Sequence, residues 1–339
     1  MTELSEALKD QLAGVAGPSS NKQKNRARMI LLAAVLVFVS LVMSGITMYV
    51  SVEPDLFVVP KNKKVAGYAT TETMIKMTDV LLNKRGGFMS NDLFPPFVLL
   101  DNMPAWEKGV LVQIRDMTRA LRKDIARSQS QSTEDVDLIK AEPNYNLGMN
   151  GYMFPSSEDE YQKGMNSIKR YQRRLLGDTN MSEAEFHARA DNLRNWLQDV
   201  ETRLGSISQR LSASVEASHG DIIGGGDEAE SSSVGDKIQT PWYEVDDVFY
   251  EARGTTWALI HLLRAIRLDF GSTLAKKEAL ASVDQIIREL EASQETVMSP
   301  VILNGGGFGV FANHSLVMAN YISRANAAII DLRALLENG

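Results

Sequence analysis

MILLAAVLVFVSLVMSGITMYV, Met29 to Val50, runs for twenty-two residues without a charge. At 1.5 Å of rise per residue it reaches roughly 33 Å as a helix, enough to cross the hydrocarbon core of a bilayer. A cleavable leader has an apolar stretch of about 7 to 15 residues and a small-residue cleavage site. This stretch is longer, and its exit, Met48-Tyr49-Val50-Ser51-Val52-Glu53, has no such site. A core helix of this length would normally show a polar stripe, and only Ser40, Ser44 and Thr47 break the apolar surface. The expectation is a single transmembrane helix, an integral anchor, followed by a large water-exposed part.

Outward from the span, Lys22, Lys24, Arg26 and Arg28 crowd its N-terminal side, whereas the first ten residues after it have no Lys or Arg and include Glu53 and Asp55. Lys61, Lys63 and Lys64 follow a little further on. The positive-inside bias therefore places residues 1–28 in the cytoplasm as a short tail and the C-terminal part in a bacterial periplasm. The chain has no cysteine, which excludes disulfides, a lipoprotein anchor and thiolate metal sites. Net charge is −7 and the first 28 residues carry +2, which leaves −9 for the rest and argues against a nucleic-acid binder.

The hydrophobic share of 44% and charged share of 23% suit a folded protein. Residues 51–67, with Pro54 and Pro60, read as an extended stalk. A helical region is expected over 68–216. It begins with a helix at Thr71–Lys84 ended by Gly86-Gly87, followed by a proline-containing ordered loop from Asn91 to Pro104. Residues 217–240, with Gly224-Gly225-Gly226 and Ser231–Ser233, read as a flexible linker or loop. A C-terminal helical region, 241–339, then either packs with 68–216 as one domain or stands apart. It holds helices at Trp242–Phe270, Ala275–Val297 and Ser315–Glu337, the last preceded by a glycine-rich turn at Asn304–Gly309. Strand signals are scarce, so the class is all-α.

Two helices carry most of the pattern. From Ala105 to Arg127, Trp106, Val110, Ile114, Met117, Leu121 and Ile125 recur at helical spacing. The other side presents Arg115, Arg119, Arg122, Lys123 and Arg127, either a solvated face that offsets acidic neighbours or a surface for an acidic partner or anionic lipid. From Ser182 to Val215, a capping box of Ser182 and Glu185 precedes a heptad seam of Phe186, Ala190, Leu193, Leu197, Val200, Leu204, Ile207 and Leu211. Pairs Glu185–Arg189 and Asp199–Arg203 support that helix. A homodimer through the seam would oppose arginines, so packing inside its own bundle is expected. A helix from Ser157, boxed with Glu160, is the expected antiparallel partner. The oligomeric state stays open.

The four histidines, His187, His219, His261 and His314, are scattered, and no HExxH, GxSxG, GxxxxGK[ST] or EF-hand loop occurs. No cofactor or metal is expected. Gly224-x-Gly226-x-x-Ala229 and Gly305–Gly309 have glycines but neither a preceding strand nor flanking cations, and read as loop and turn. Glu244, Asp247 and Glu251 share one side of a helix beside Trp242, Tyr243 and Tyr250. They form either the acidic start that a helix dipole favours or a carboxylate cluster for glycan chemistry.

The strings GGFMSNDLFPP, LDNMPAWEKGVLVQIRDMTRALRKD with SQSQS, and RADNLRNWLQDVETRLGSISQRLSASV resemble a proteobacterial inner-membrane family known as a domain of unknown function, numbered in the two thousand three hundreds. The resemblance covers most of residues 66–270. It implies a single-span envelope protein of Gram-negative bacteria, and it supplies no activity, ligand or catalytic residue. The expectation from all these readings is a non-enzymatic, membrane-tethered helical protein whose periplasmic bundle binds another envelope protein. The alternative is a periplasmic enzyme acting on cell-wall glycan or peptide through the acidic cluster. A ligand sensor is disfavoured, because 28 cytoplasmic residues would need a separate transducer.

Overall fold

The structure is a computed structural model that describes residues 19–61, 65–128, 133–177, 182–220, 241, 244–297, 302–304 and 312–338. Of the expected linker at 217–240, residues 217–220 are helical, continuing the helix before them, and 221–240 lie outside these residues, as do the glycine turn at 305–309 and Trp242 and Tyr243. The chain divides into two compact units, Met1–Val52 and Glu53–Gly339.

In the first unit α1 runs from Ser19 to Val50, and its segment Lys24–Val50 has a mean hydropathy of 2.7 with none of its most apolar window buried. Met29, Leu31, Leu36, Phe38 and Leu41 all stand exposed around it. Thr47 turns its hydroxyl back to the Met43 carbonyl at 2.9 Å, so even this polar side chain is satisfied within the helix. By length and composition α1 is able to span a bilayer.

The second unit is all-α. It comprises α2 (Tyr68–Asn83), α3 (Asn102–Ala120, extended by a π turn over Leu121–Ile125), α4 (Val136–Asn146), α5 (Ser157–Leu175), α6 (Ala190–Gly220), α7 (Val245–Asp269), α8 (Gly271–Lys276), α9 (Leu280–Ala292) and α10 (His314–Asn338). Among the described residues there is no strand, and the one β-bridge joins Asn304 to Asn313.

The core is built on α7, whose stretch from Ala252 to Leu263 is buried on every side. A helix buried around its whole circumference must be surrounded, and α2, α3, α6, α9 and α10 do so. The closest approach is to α3. A Cβ on Gly254 would lie 2.0 Å from the Trp106 carbonyl oxygen, and one on Gly109 would lie 2.3 Å from that of Glu251. The two glycines let the backbones touch, and Trp106 packs edge-on to Trp257 beside them with centroids 5.2 Å apart.

Residues 53–60, expected as a stalk, are laid along α7. Phe57 donates its N–H to His261 Nε2 at 3.0 Å and stacks on the same ring at 3.8 Å, while Arg253 holds Glu53 at 2.7 Å. Asp269, at the end of α7, accepts the Thr70 N–H and hydroxyl, each at 2.7 Å, and so caps α2.

The heptad helix starts eight residues later than its capping box suggests. Residues 182–189 are not helical, because their backbone groups find tertiary partners. Tyr171 donates its hydroxyl to the Glu185 carbonyl at 2.6 Å, His187 N–H reaches the Ile125 carbonyl at 2.8 Å, and Phe186 packs edge-on to Phe270. The Glu185–Arg189 pair accordingly does not form. Glu185 meets His187 and Arg189 meets Asp191, while Arg203 reaches Asp116 on α3 at 2.9 Å. From Leu193 to Leu211 the seam is buried, and its partner is α10, not the Ser157 helix. The contacts Arg194–Glu337, Arg333–Glu201 and Ser208–Ser323 set α6 and α10 antiparallel. The Ser157 helix, α5, packs on α4 and α2 instead. Ser156, not Ser157, caps it by accepting the Asp159 N–H. The helix expected at 275–297 is broken in two at Glu278, whose φ is 53°. Pro104 falls inside the first turn of α3, where its missing N–H is harmless.

Candidate interaction site

Two loops meet on one side of the second unit, and each is rooted in buried polar chemistry. The first follows α2, turning through Gly86 and Gly87 at φ of 85° and 75°. Glu107 of α3, fully buried, anchors it by accepting the N–H groups of Met89 at 2.8 Å and Ser90 at 2.9 Å and the Ser90 hydroxyl, with Lys84 paired to the same carboxylate. Burial pushes the Glu107 carboxyl up, and Lys84 opposes that push. The second loop joins α4 to α5. Arg115 donates to the carbonyls of Tyr145 at 2.5 Å and Leu147 at 2.6 Å, and Ser157 closes the loop onto Gly148 and Gly151. Asn91 ties the loops together, its Nδ2 donating to the Gly151 carbonyl at 2.8 Å and to Glu158 at 2.7 Å.

From these fixed bases apolar side chains project into solvent. Leu93, Phe94 and Val98 do so on the first loop and Tyr152, Met153 and Phe154 on the second, with Phe94 79% and Phe154 97% exposed. Single exposed apolar residues are ordinary; a group of six on two joined loops is a candidate interaction surface.

A cleft of about 290 Å³ adjoins the loops, lined by Ser90, Asp101, Pro104, Lys108, Met149, Asn150, Asp247 and Glu251. Asp247 and Glu251, which share one side of α7, both line it, in different surroundings. Burial pushes Glu251 up, but Arg210, bidentate at 2.7 and 2.9 Å, and Lys108 at 2.9 Å outweigh it and hold the carboxyl below its usual value. Asp247 is pushed up to about 6 by burial and by the like charges of Asp101, Asp246 and Glu244, against which Lys108 acts weakly. Glu244 lies exposed just before α7. Glu251 is thus a staple between α3, α6 and α7, and Asp247 faces the cleft.

The chain's residues 22–339 match a family described as "uncharacterized protein conserved in bacteria", DUF2333. The chain belongs to that family. No curated protein and no solved structure matches it. The DUF2333 match takes in the apolar helix α1 together with the whole second unit. It agrees with the resemblance carried by GGFMSNDLFPP and the α3 and α6 strings, and the first of those strings is the Glu107-anchored loop.

The basic face is largely engaged within the molecule. Arg115 supports the second loop, Arg119 lies 3.7 Å from both Asp116 and Glu142, Arg122 meets Glu142 at 2.5 Å and Glu134 at 3.3 Å, and Arg127 lies 3.9 Å from Glu134. Lys123 is exposed. Among the described residues no three of His, Asp and Glu are placed to hold a metal. A second cavity, of about 400 Å³, lies between α7, α9 and α10. The guanidinium of Arg253 at its wall is consumed by Glu53 and the carbonyls of Ser293 and Glu295.

Sequence reasoning missed Phe94, Val98, Tyr152, Met153, Phe154 and Asp101. The available signal was composition: Leu93-Phe94-Pro95-Pro96 and Gly151-Tyr152-Met153-Phe154-Pro155 place large apolar residues where proline forbids a helix.

Proposed function

We propose that this chain is a membrane-tethered, non-enzymatic interaction protein of the bacterial envelope. In this reading α1 sits in the inner membrane with the N-terminus in the cytoplasm, and the helical unit from Glu53 stands in the periplasm and docks another envelope protein. The observation that carries it is the apolar surface on the two joined loops, with Phe154 97% exposed on a base that Glu107, Arg115 and Asn91 hold rigid. A rigid base lowers the ordering penalty of binding, and exposed aromatic anchors are the residue type that dominates interfaces. The span length and the flanking Lys24, Arg26 and Arg28 support the topology.

A photo-crosslinking phenylalanine analogue placed at 94 or 154 in the full chain, in cells, tests this. A discrete protein adduct is expected from both positions and none from exposed Lys163. Adducts from none of the three positions would remove the docking reading.

The second reading, an enzyme acting on cell-wall glycan or peptide, is favoured by one observation, a carboxyl at about 6 in a cleft. It requires that Asp247→Asn abolish function in a folded protein, whereas docking through the loops tolerates that change far better than Phe154→Ser.

A further inference from the structure

The apolar loops border a mainly acidic surface. Asp101 sits close enough to Asp246 and Asp247 to raise their proton affinity, and Glu158, at the join of the loops, does the same to Asp92. Lys108 is the cation lining the cleft, and its ammonium is committed to Glu251. None of Asp92, Asp101, Asp246 and Asp247 is salt-bridged among the described residues. At the join itself Asn91, 8% exposed, donates through Nδ2 but keeps Oδ1 buried without any donor. A buried acceptor left unpaired is destabilising, so the seam between the loops favours an N–H or ammonium donor.

Resting on the docking reading above, we propose that the two loops and the cleft receive a polypeptide segment that is apolar and cationic together. Its large apolar side chains lie against Phe94 and Phe154, and its Lys or Arg side chains reach the Asp101–Asp247 cleft. The charge selects this occupant over the other natural one, a lipid surface. Bacterial membranes carrying anionic lipid attract cationic faces and repel acidic ones, and this apolar patch is bordered by five carboxylates. A cationic segment gains the opposite way, being steered in by a cleft whose Asp101 and Asp247 have no salt bridge among the described residues.

The test uses the full membrane-anchored chain in cells, with the photo-crosslinker at Phe154 and the captured peptide sequenced. The parent is compared with Asp101→Asn/Asp247→Asn, which preserves side-chain shape and the α3 cap, and with Asp101→Glu/Asp247→Glu, which restores charge. The adduct is expected to fall about tenfold in the Asn variant, to return in the Glu variant, and to contain Lys or Arg within the captured segment. Thermal unfolding of the purified Asn variant at or above the parent's temperature shows that the fold is kept. An adduct equally strong in the Asn variant, an acidic captured segment, or capture of lipid overturns the cationic assignment while leaving an exposed docking surface in place. Absence of any adduct from the parent removes the docking reading and this inference with it.

Discussion

Asp247 and Glu251 stand one turn apart on α7, and their surroundings drive them in opposite directions. Spacing alone puts both on one side of a helix, which is legible from the sequence. The third carboxylate that matters, Asp101, comes from a residue far away in the chain, and so does Arg210, which neutralises Glu251. Those partners are tertiary and leave no local trace. For Asp247 the raised affinity means that between about pH 4 and 6 the folded protein keeps a proton the unfolded chain releases, so its contribution falls as pH rises through that window. Asp247→Asn is therefore expected to raise the melting temperature at pH 7 and leave it unchanged near pH 4; equal effects at both values would contradict this. His261 has the reverse sign. It is fully buried and pushed down to about 4, first by burial, and accepting the Phe57 N–H at Nε2 requires a neutral ring. Its contribution is present above about pH 6.5 and is lost as pH falls towards 4, on the order of 3 kcal/mol in all. Denaturant midpoints should decline over that range in the parent and decline less in His261→Gln.

At the scale of the element, helical periodicity locates α3, α5 and the seam of α6 because a buried stripe is a local pattern. It does not show which helices pair. The seam that reads as a partner for α5 is buried against α10, and the backbone before it trades a capping box for bonds to Tyr171 and Ile125. A capping box contributes about 1 kcal/mol, which tertiary hydrogen bonds and the Phe186–Phe270 contact together exceed. Glycine at the α3–α7 crossing is equally silent in one sequence, since Gly109 and Gly254 look like weak points of good helices. Gly254→Ala is expected to destabilise the fold by about 3 kcal/mol or more, because its methyl meets backbone and no side chain is there to yield. Gly205→Ala, whose added methyl would meet only Asn326 at 3.7 Å, should be neutral or stabilising in the same urea titration.

For the whole molecule, the apolar span and the all-α class are legible because both rest on composition and period, which need no knowledge of contacts. The candidate site is not, because it is assembled from two loops and a helix start, and loops carry no period. Residues 53–60 likewise read as a stalk from their prolines, although Phe57 and Glu53 bind α7. On the proposed topology the loop surface faces the periplasm and is covered there by a partner. The absence of cysteine makes it testable, since Phe154→Cys would carry the chain's only thiol. The measurement is the rate at which a membrane-impermeant maleimide, admitted to the periplasm, labels that thiol in cells, compared with the purified protein and with Lys163→Cys. Position 163 is expected to react equally fast in both settings, whereas position 154 is expected to react fast when purified and several-fold slower in cells. Equal rates for 154 in both settings would contradict an occupied surface, and no labelling of either position until the membrane is dissolved would contradict the topology.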